Sequence, residues 1–114
     1  MKITGTNITI MVSNMDTSIK FYEMLGFTIK QRWENNYCMM STTDLTIGIH
    51  PGKDGMAPSE QISIGLFVED INEVKKLLAD NNVVYDYHDA DEGIYVNFKD
   101  PDGATLYYSQ PRWN

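Results

Sequence analysis

The sequence predicts an α+β domain made of two successive βαβββ modules, with the helices on one side of the sheet. Three observations support this prediction. An alternating apolar segment that changes into a helical pattern occurs twice, each helical pattern has its own start and stop residues, and short alternating segments follow each of them. Because the order and spacing are closely similar in both halves, the chain has the pattern of a duplicated unit.

The first strand and helix are predicted within ITIMVSNMDTSIKFYEMLGF, residues 8–27. Asn14 is a good N-cap, and Gly26 can adopt the left-handed conformation that ends a helix. The strand alternates, and helical spacing follows it. The apolar residues that carry these two periods are Ile8, Ile10 and Val12, then Ile19, Tyr22 and Leu25.

The second strand and helix are predicted within ISIGLFVEDINEVKKLLADNNV, residues 62–83. Asp70 caps the helix, with Glu73 in the capping-box position, and the pair Asn81 and Asn82 ends it. The apolar residues of the strand and of the helix stripe are Ile62, Ile64, Leu66 and Val68, then Ile71, Val74, Leu77 and Leu78.

Three short alternating strands are expected after each helix. They are TIKQRWEN, YCMMST and LTIGIH in the first half, and VVYDYHD, GIYVNFKD and TLYYSQ in the second. The segment PGKDGMAPSEQ between the halves has the composition of a linker. We therefore predict one domain over residues 1–114, with module one at about 1–52, a linker at about 53–60 and module two at about 61–114.

Composition excludes several classes of function. Sixteen Asp and Glu against nine Lys and Arg give a formal charge of −7, which makes nucleic acid a poor partner because phosphate binding needs a basic face. A single cysteine, Cys38, rules out an intramolecular disulfide framework and a thiol-based zinc site, and favours a cytoplasmic setting. No signal peptide or membrane span is expected.

Two stretches resemble a known group, the vicinal oxygen chelate superfamily of glyoxalases, bleomycin resistance proteins and extradiol dioxygenases. MVSNMDTSIKFYEMLGF is similar to the opening motif of that family, and FKDPDGATLYY is similar to its closing D-P-D-G-x-x-x-E motif. The resemblance covers nearly the whole chain. It implies a curved mixed sheet around a groove, helices on the outer face, and a homodimer.

The resemblance also implies where a metal would be held in metal-dependent members. The matching positions here are Asn7, Gly48, Ser63 and Tyr107. None is His, Asp, Glu or Cys, the residues that bind Zn, Ni, Fe or Mn in proteins. We therefore expect no metal and no cofactor, although members of one fold differ in chemistry.

Three other residues could form a displaced catalytic or metal centre. His50 follows Gly48 by two residues on the same strand face, and His88 lies among the acidic residues of YDYHDADEG. The hydroxyl of Tyr107 can donate a proton. His50 and Tyr107 are weak catalytic candidates, a solvated acidic hairpin is favoured for His88, and Cys38 is expected to be buried.

Alternation assigns a ligand-binding wall to the strand residues that point away from the helices. Simple alternation predicts that Trp33 lies on the same strand face as Ile29 and Gln31, and Met39 on the same face as Tyr37. The wall mixes aromatic and thioether groups with hydroxyls and amides, which suits an aromatic or cationic small molecule. The predicted ligand-binding residues are Asn7, Thr9, Met11, Trp33, Met39, Gly48, His50, Ser63, Phe67 and Tyr107.

Three functions are compatible with the sequence, and the first of them is the one we predict. The first is a metal-independent small-molecule binding protein that resembles drug-sequestering, bleomycin-resistance-like members. The second is a glyoxalase-like lyase, isomerase or dioxygenase with an unorthodox active centre. The third is a regulatory or interaction module without a ligand.

Overall fold

The computed structural model describes residues 2–4, 7–52 and 63–112. The chain divides into two compact units, Met1–Ala57 and Pro58–Asn114. Each unit contains one strand, one helix and three further strands, so the predicted α+β fold with two βαβββ modules is confirmed. The predicted linker, and Ile62 beside it, lie outside the described residues.

Unit 1 forms a four-stranded mixed sheet with one helix. Its elements are β1 (Ile8–Val12), α1 (Met15–Leu25), β2 (Thr28–Trp33), β3 (Tyr37–Thr42) and β4 (Leu45–Pro51). The strand order is β1-β4-β3-β2, with β1 parallel to β4 and the other pairs antiparallel. A parallel pair needs a long crossover, and α1 with the two following strands supplies it.

Helix α1 begins and ends as the sequence predicts. The side chain of Asn14 accepts a hydrogen bond from the Thr17 backbone N–H, and Gly26 has φ 111°, in the left-handed region. Every third or fourth residue of α1 is buried, and the sheet supplies the other side of this core. The most deeply buried core residues of unit 1 are Tyr22, Cys38, Met40, Ile47 and Ile49.

Unit 2 repeats this plan. Its elements are β5 (Ser63–Phe67), α2 (Ile71–Asp80), β6 (Tyr85–Ala90), β7 (Gly93–Lys99) and β8 (Thr105–Pro111). The strand order is β5-β8-β7-β6, with β5 parallel to β8. Asp70 caps α2 through the Asn72 backbone N–H, and Asn82 has φ 59° just after the helix. The most deeply buried core residues of unit 2 are Leu78, Val96 and Leu106.

The acidic turn before β8 is organised by Asp100, which is buried. Its Oδ1 accepts hydrogen bonds from the backbone N–H groups of Asp102 and Ala104, at 2.9 and 2.8 Å. Gly103 has φ 89°, a conformation that glycine adopts without steric cost. The carboxylate therefore replaces backbone partners within the turn and fixes where β8 starts.

Strand β2 differs from the predicted simple alternation. Ile29 has Met40 as its register partner, whereas Gln31 pairs with Met39, so the ladder shifts by one residue at a bulge between Ile29 and Gln31. A bulge places an extra residue on one strand and reverses the faces beyond it. The prediction that Ile29 shares a face with Trp33 is therefore wrong, because Ile29 lies on the side of the buried Met40.

Within the described residues, neither helix is long and apolar enough to cross a membrane.

Candidate functional site

One face of the unit 1 sheet lies opposite α1, and we call it the unit 1 face. Cross-strand register places its residues together: Thr9 pairs with Gly48, Met11 with His50, Met39 with Gly48, and Trp33 with Tyr37. The members of the unit 1 face are Thr9, Met11, Gln31, Trp33, Tyr37, Met39, Gly48 and His50, with Asn7 just before β1. Met11 and Trp33 are 45% and 42% exposed, so much of their apolar surface is open to contact.

Tyr37 lies at the centre of the unit 1 face. Its phenol ring covers Gly48 so closely that a Cβ added there would lie 2.6 Å from Cζ of the ring and nearer still to the hydroxyl. Asn7 Nδ2 donates a hydrogen bond to the same hydroxyl at 2.7 Å. The ring therefore fills the space that a side chain at residue 48 would take.

Two other rings flank Tyr37. The centroid of Trp33 lies 5.6 Å away at a tilt of 45°, and that of His50 lies 6.4 Å away, edge to face. Nδ1 of His50 lies 2.7 Å from the carbonyl oxygen of Pro51. A carbonyl only accepts, so this contact places a hydrogen on Nδ1.

Unit 2 has an equivalent surface opposite α2, which we call the unit 2 face. Tyr107 covers Gly65, its register partner, and Cε2 of the ring would lie 2.8 Å from a Cβ at that position. The ring centroid of Tyr95 lies 6.0 Å from that of Tyr107. Phe67 is 64% exposed at the end of β5, while Ser63 is exposed at its beginning.

The phenol of Tyr95 is perturbed by its surroundings. Burial raises the pKa of Tyr95, and the negative charge of Glu92 raises it further. The Tyr95 hydroxyl lies 3.5 Å from Glu92 Oε1, to which it can donate a weak hydrogen bond. The side chain of Ser109, which is fully buried, acts in the opposite direction. The Tyr95 hydroxyl is a hydrogen-bond donor, as an ordinary phenol already is at neutral pH.

The acidic hairpin of unit 2 does not gather a cluster of ligands around His88. His88 pairs with Tyr95, whereas its neighbour Asp89 pairs with Ile94 and projects to the other side of the sheet. Arg112 Nη1 donates to Asp89 Oδ1 at 2.8 Å, which lowers the pKa of that carboxyl. One carboxylate of this hairpin, that of Asp89, is thus held in a surface ion pair.

A model of the Glyoxalase/Bleomycin resistance protein/Dioxygenase superfamily matches residues 6–108. The chain belongs to this superfamily. Comparison with curated protein sequences returned no match.

Three solved structures superpose on nearly the whole chain. A glyoxalase family protein from Enterococcus faecalis has a TM-score of 0.76 at 21% identity, covering 91% of this chain and 94% of its own. The bleomycin resistance determinant encoded on the transposon Tn5 has a TM-score of 0.74 at 20% identity, and the match covers 97% of this chain and 100% of that one. Lactoylglutathione lyase from Agrobacterium tumefaciens has a TM-score of 0.75 at 12% identity, and the match covers 95% of this chain and 94% of that one. At these identities the likeness shows the fold alone.

The positions that the superfamily resemblance implies for a metal do not fit one. Asn7 is engaged with the Tyr37 hydroxyl, and Gly48 has no side chain and no space for one. Ser63 offers only a neutral hydroxyl, and the Tyr107 ring is turned onto Gly65. In the described parts of the chain, no three His, Cys, Asp or Glu side chains are grouped to hold a metal ion. The four positions therefore offer no set of donors for a divalent metal ion.

The structure places each sequence-predicted residue on the face of its own unit that lies opposite the helix. Asn7, Thr9, Met11, Trp33, Met39, Gly48 and His50 belong to the unit 1 face, and Ser63, Phe67 and Tyr107 to the unit 2 face. Their role in binding stays a prediction. Tyr37 was missed as a site residue, although a glycine on a strand face is itself a sign that a neighbouring ring covers it.

Cys38 is buried, as expected. It is fully inaccessible and forms no disulfide. Burial raises the pKa of the thiol, and the nearby Arg32 only partly opposes this effect. A thiol that is both protonated and covered is a poor nucleophile, so Cys38 contributes packing to the core of unit 1.

Proposed function

We propose that the protein is a metal-independent small-molecule binding protein that takes aromatic or cationic ligands, like the drug-sequestering members of the superfamily. The observation that carries the proposal is the group formed by Tyr37, Asn7 and Gly48. The Tyr37 phenol accepts a hydrogen bond from the Asn7 amide and covers Gly48, and the resemblance implies that these are two of the positions that hold a metal in metal-dependent members. Binding, rather than Lewis-acid catalysis, is the function that these groups can support.

The exposed apolar surface of each unit supports the same proposal. Trp33 and Met11 in unit 1, and Phe67 in unit 2, expose between 42% and 64% of their surface on the faces opposite the helices. Hydroxyl and amide groups stand between them. Apolar surface supplies affinity, and a few polar groups orient the ligand, which is the usual composition of a small-molecule site.

Charge favours a cationic or neutral ligand. The formal charge of −7 attracts cations at long range and repels anions, an effect that weakens as salt screens it. An aromatic cation would also gain from contact with the face of an indole or phenol ring. We further propose a homodimer in which a groove holds the ligand, as the superfamily resemblance implies. A cytoplasmic location is proposed from the single cysteine of the chain.

A fluorescence titration tests the proposal. Trp113→Phe leaves Trp33 as the single indole of the chain. We expect its emission to change saturably on addition of an aromatic cation such as proflavine or a glycopeptide such as bleomycin. The dissociation constant should increase in the Trp33→Ala variant, where binding is measured by calorimetry because the fluorophore is lost. Tyr87→Ala serves as the matched control, because Tyr87 is similarly exposed (48%) but its ring contacts Lys75 of α2, on the helix side of its sheet.

Two results would overturn the proposal. The binding function would be excluded if neither the tryptophan fluorescence nor the heat of binding changed on titration with a broad panel of aromatic, cationic and glycopeptide ligands. Stoichiometric Zn, Ni, Fe or Mn in protein purified without chelator would favour the enzyme instead, and loss of activity in His50→Ala would then locate the centre. Sedimentation analysis tests the homodimer separately.

A further inference from the structure

We propose that the Tyr37 hydroxyl is the hydrogen-bond donor that selects the ligand of the unit 1 face. This inference rests on the proposed function and names its ligand class: a flat aromatic molecule, neutral or cationic, with a hydrogen-bond acceptor such as a ring nitrogen or carbonyl at its edge. Tyr37 is then a specificity-determining residue that binds the ligand directly.

The direction of one hydrogen bond leads to this assignment. Asn7 Nδ2 donates to the Tyr37 hydroxyl oxygen at 2.7 Å, so one lone pair of the phenol is used. Among the described residues, the phenol proton has no acceptor. A hydroxyl that accepts one hydrogen bond becomes a stronger donor through polarisation. The group therefore offers a proton to whatever lies on the unit 1 face.

The packing of the ring fixes where that proton is offered. Because Gly48 has no side chain, the Tyr37 ring lies down on β4 and carries its hydroxyl across the face towards β1. The ring centroids of Trp33 and His50 lie 5.6 and 6.4 Å from the ring centroid of Tyr37. A ligand ring that lies against Trp33 has its edge beside the phenol. Donor and aromatic platform are thus adjacent, as recognition of a flat molecule with an edge acceptor requires.

The absence of charged side chains among the described residues of the unit 1 face restricts the ligand's acceptor to a neutral group. The residues that the register places on this face carry no carboxylate, ammonium or guanidinium group. Nothing on the face therefore compensates an anionic ligand, which the chain charge of −7 also repels. A neutral ring nitrogen or carbonyl costs less to desolvate and pairs with a single phenol donor.

Indole and indazole form a probe pair that isolates this hydrogen bond. They have the same shape and the same N–H, but indazole has an acceptor nitrogen where indole has C2–H. Titration of ¹⁵N-labelled wild-type protein with each probe, followed by NMR, should show indazole binding roughly three- to tenfold more tightly, the worth of one hydrogen bond. Tyr37→Phe keeps the ring over Gly48 and should bring the ratio of the two dissociation constants to about one.

Two further variants separate the donor from the platform. Trp33→Ala should weaken both probes together and keep their ratio. Tyr87→Phe removes a phenol hydroxyl on the helix side of unit 2 and should leave both constants unchanged. In wild-type protein labelled at tyrosine ¹³Cζ, indazole should shift the Tyr37 resonance more than indole does, which tests the contact even where a variant does not fold.

The outcomes distinguish this inference from the proposed function. If both probes bind wild type but Tyr37→Phe leaves their ratio unchanged, or if the two probes shift Tyr37 Cζ equally, the donor role is overturned while ligand binding stands. If neither probe shifts any resonance of the unit 1 face, and the wider ligand panel is also silent, the proposed function falls and this inference falls with it. If indole binds as tightly as indazole to wild type, the ligand class is wrong.

Discussion

The phenol ring of Tyr107 lies directly over Gly65, its register partner on the parallel strand β5. Unit 1 contains the same relationship in a different register. Tyr37 covers Gly48 although the register partner of Gly48 on β3 is Met39, two residues further along the strand. In both units a tyrosine ring therefore packs directly on a glycine. The loss in the free energy of unfolding that follows from adding a side chain at such a glycine can be measured.

Gly48→Ala should destabilise unit 1 through its contact with Tyr37. The new Cβ would lie 2.6 Å from Cζ of the ring, so the ring must move, and we expect a loss of about 1–2 kcal/mol in the free energy of unfolding. Urea denaturation of a double-mutant cycle checks the cause. In a Tyr37→Ala background the same glycine substitution should cost less than about 0.5 kcal/mol. Equal costs in both backgrounds would assign the effect to the backbone.

Gly93→Ala should cost more than Gly48→Ala, because its new Cβ meets backbone. The carbonyl oxygen of Gln110 would lie 2.8 Å away and Cα of Pro111 3.1 Å away. Strand backbone cannot swing aside as a ring can, so we expect a loss of about 2–3 kcal/mol in urea denaturation. Gln110→Ala keeps the carbonyl, and the cycle with it should show a coupling energy near zero. A strong rescue would contradict the backbone origin.

Tyr108 should make the stability fall at high pH. Burial raises its pKa from 10.0 to about 12, so the folded state holds the phenol proton where the unfolded state has lost it. This contribution is complete below pH 10 and disappears as the pH rises towards 12. Urea denaturation between pH 9 and 12 should show the decline. Tyr108→Phe should decline less over this interval, and an identical decline would show that other groups cause it.

Cys38 should react only when unit 1 opens. The thiol is fully inaccessible and burial raises its pKa, so the thiolate that reagents attack is both scarce and covered. Reaction with a disulfide reagent at pH 8 should be slow in the native protein and rapid in urea. The native rate should track the population of open molecules across a series of stability variants, including Gly48→Ala. Rapid labelling of the native protein would mean that Cys38 is reachable and would revive it as a candidate nucleophile.

Local signals predicted most of the fold. The N-caps Asn14 and Asp70, and the left-handed Gly26, act through the backbone of their own turn and need no tertiary partner. The strand faces followed from alternation, because a strand buried on one side must repeat every two residues. The bulge between Ile29 and Gln31 was not predictable, since it carries no glycine and is defined by pairing with β3.

The candidate site was only partly predictable for the same physical reason. Sequence assigned Asn7 and Gly48 to one face but could not show that both contact Tyr37, which comes from a third segment. That contact runs diagonally across the ladder, and a diagonal depends on the rotamer of a long side chain as well as on the register. Tyr107, by contrast, lies directly over the residue opposite it.

The glycine beneath Tyr37 also restricts the order in which this sequence can change. A larger residue at position 48 meets the ring at once, whereas a smaller residue at position 37 first opens the space. A lineage that introduces a carboxylate or imidazole at position 48 is therefore expected to lose the tyrosine beforehand or at the same step. Positions 37 and 48 should vary together among close homologues, with an aromatic residue at one accompanied by glycine at the other.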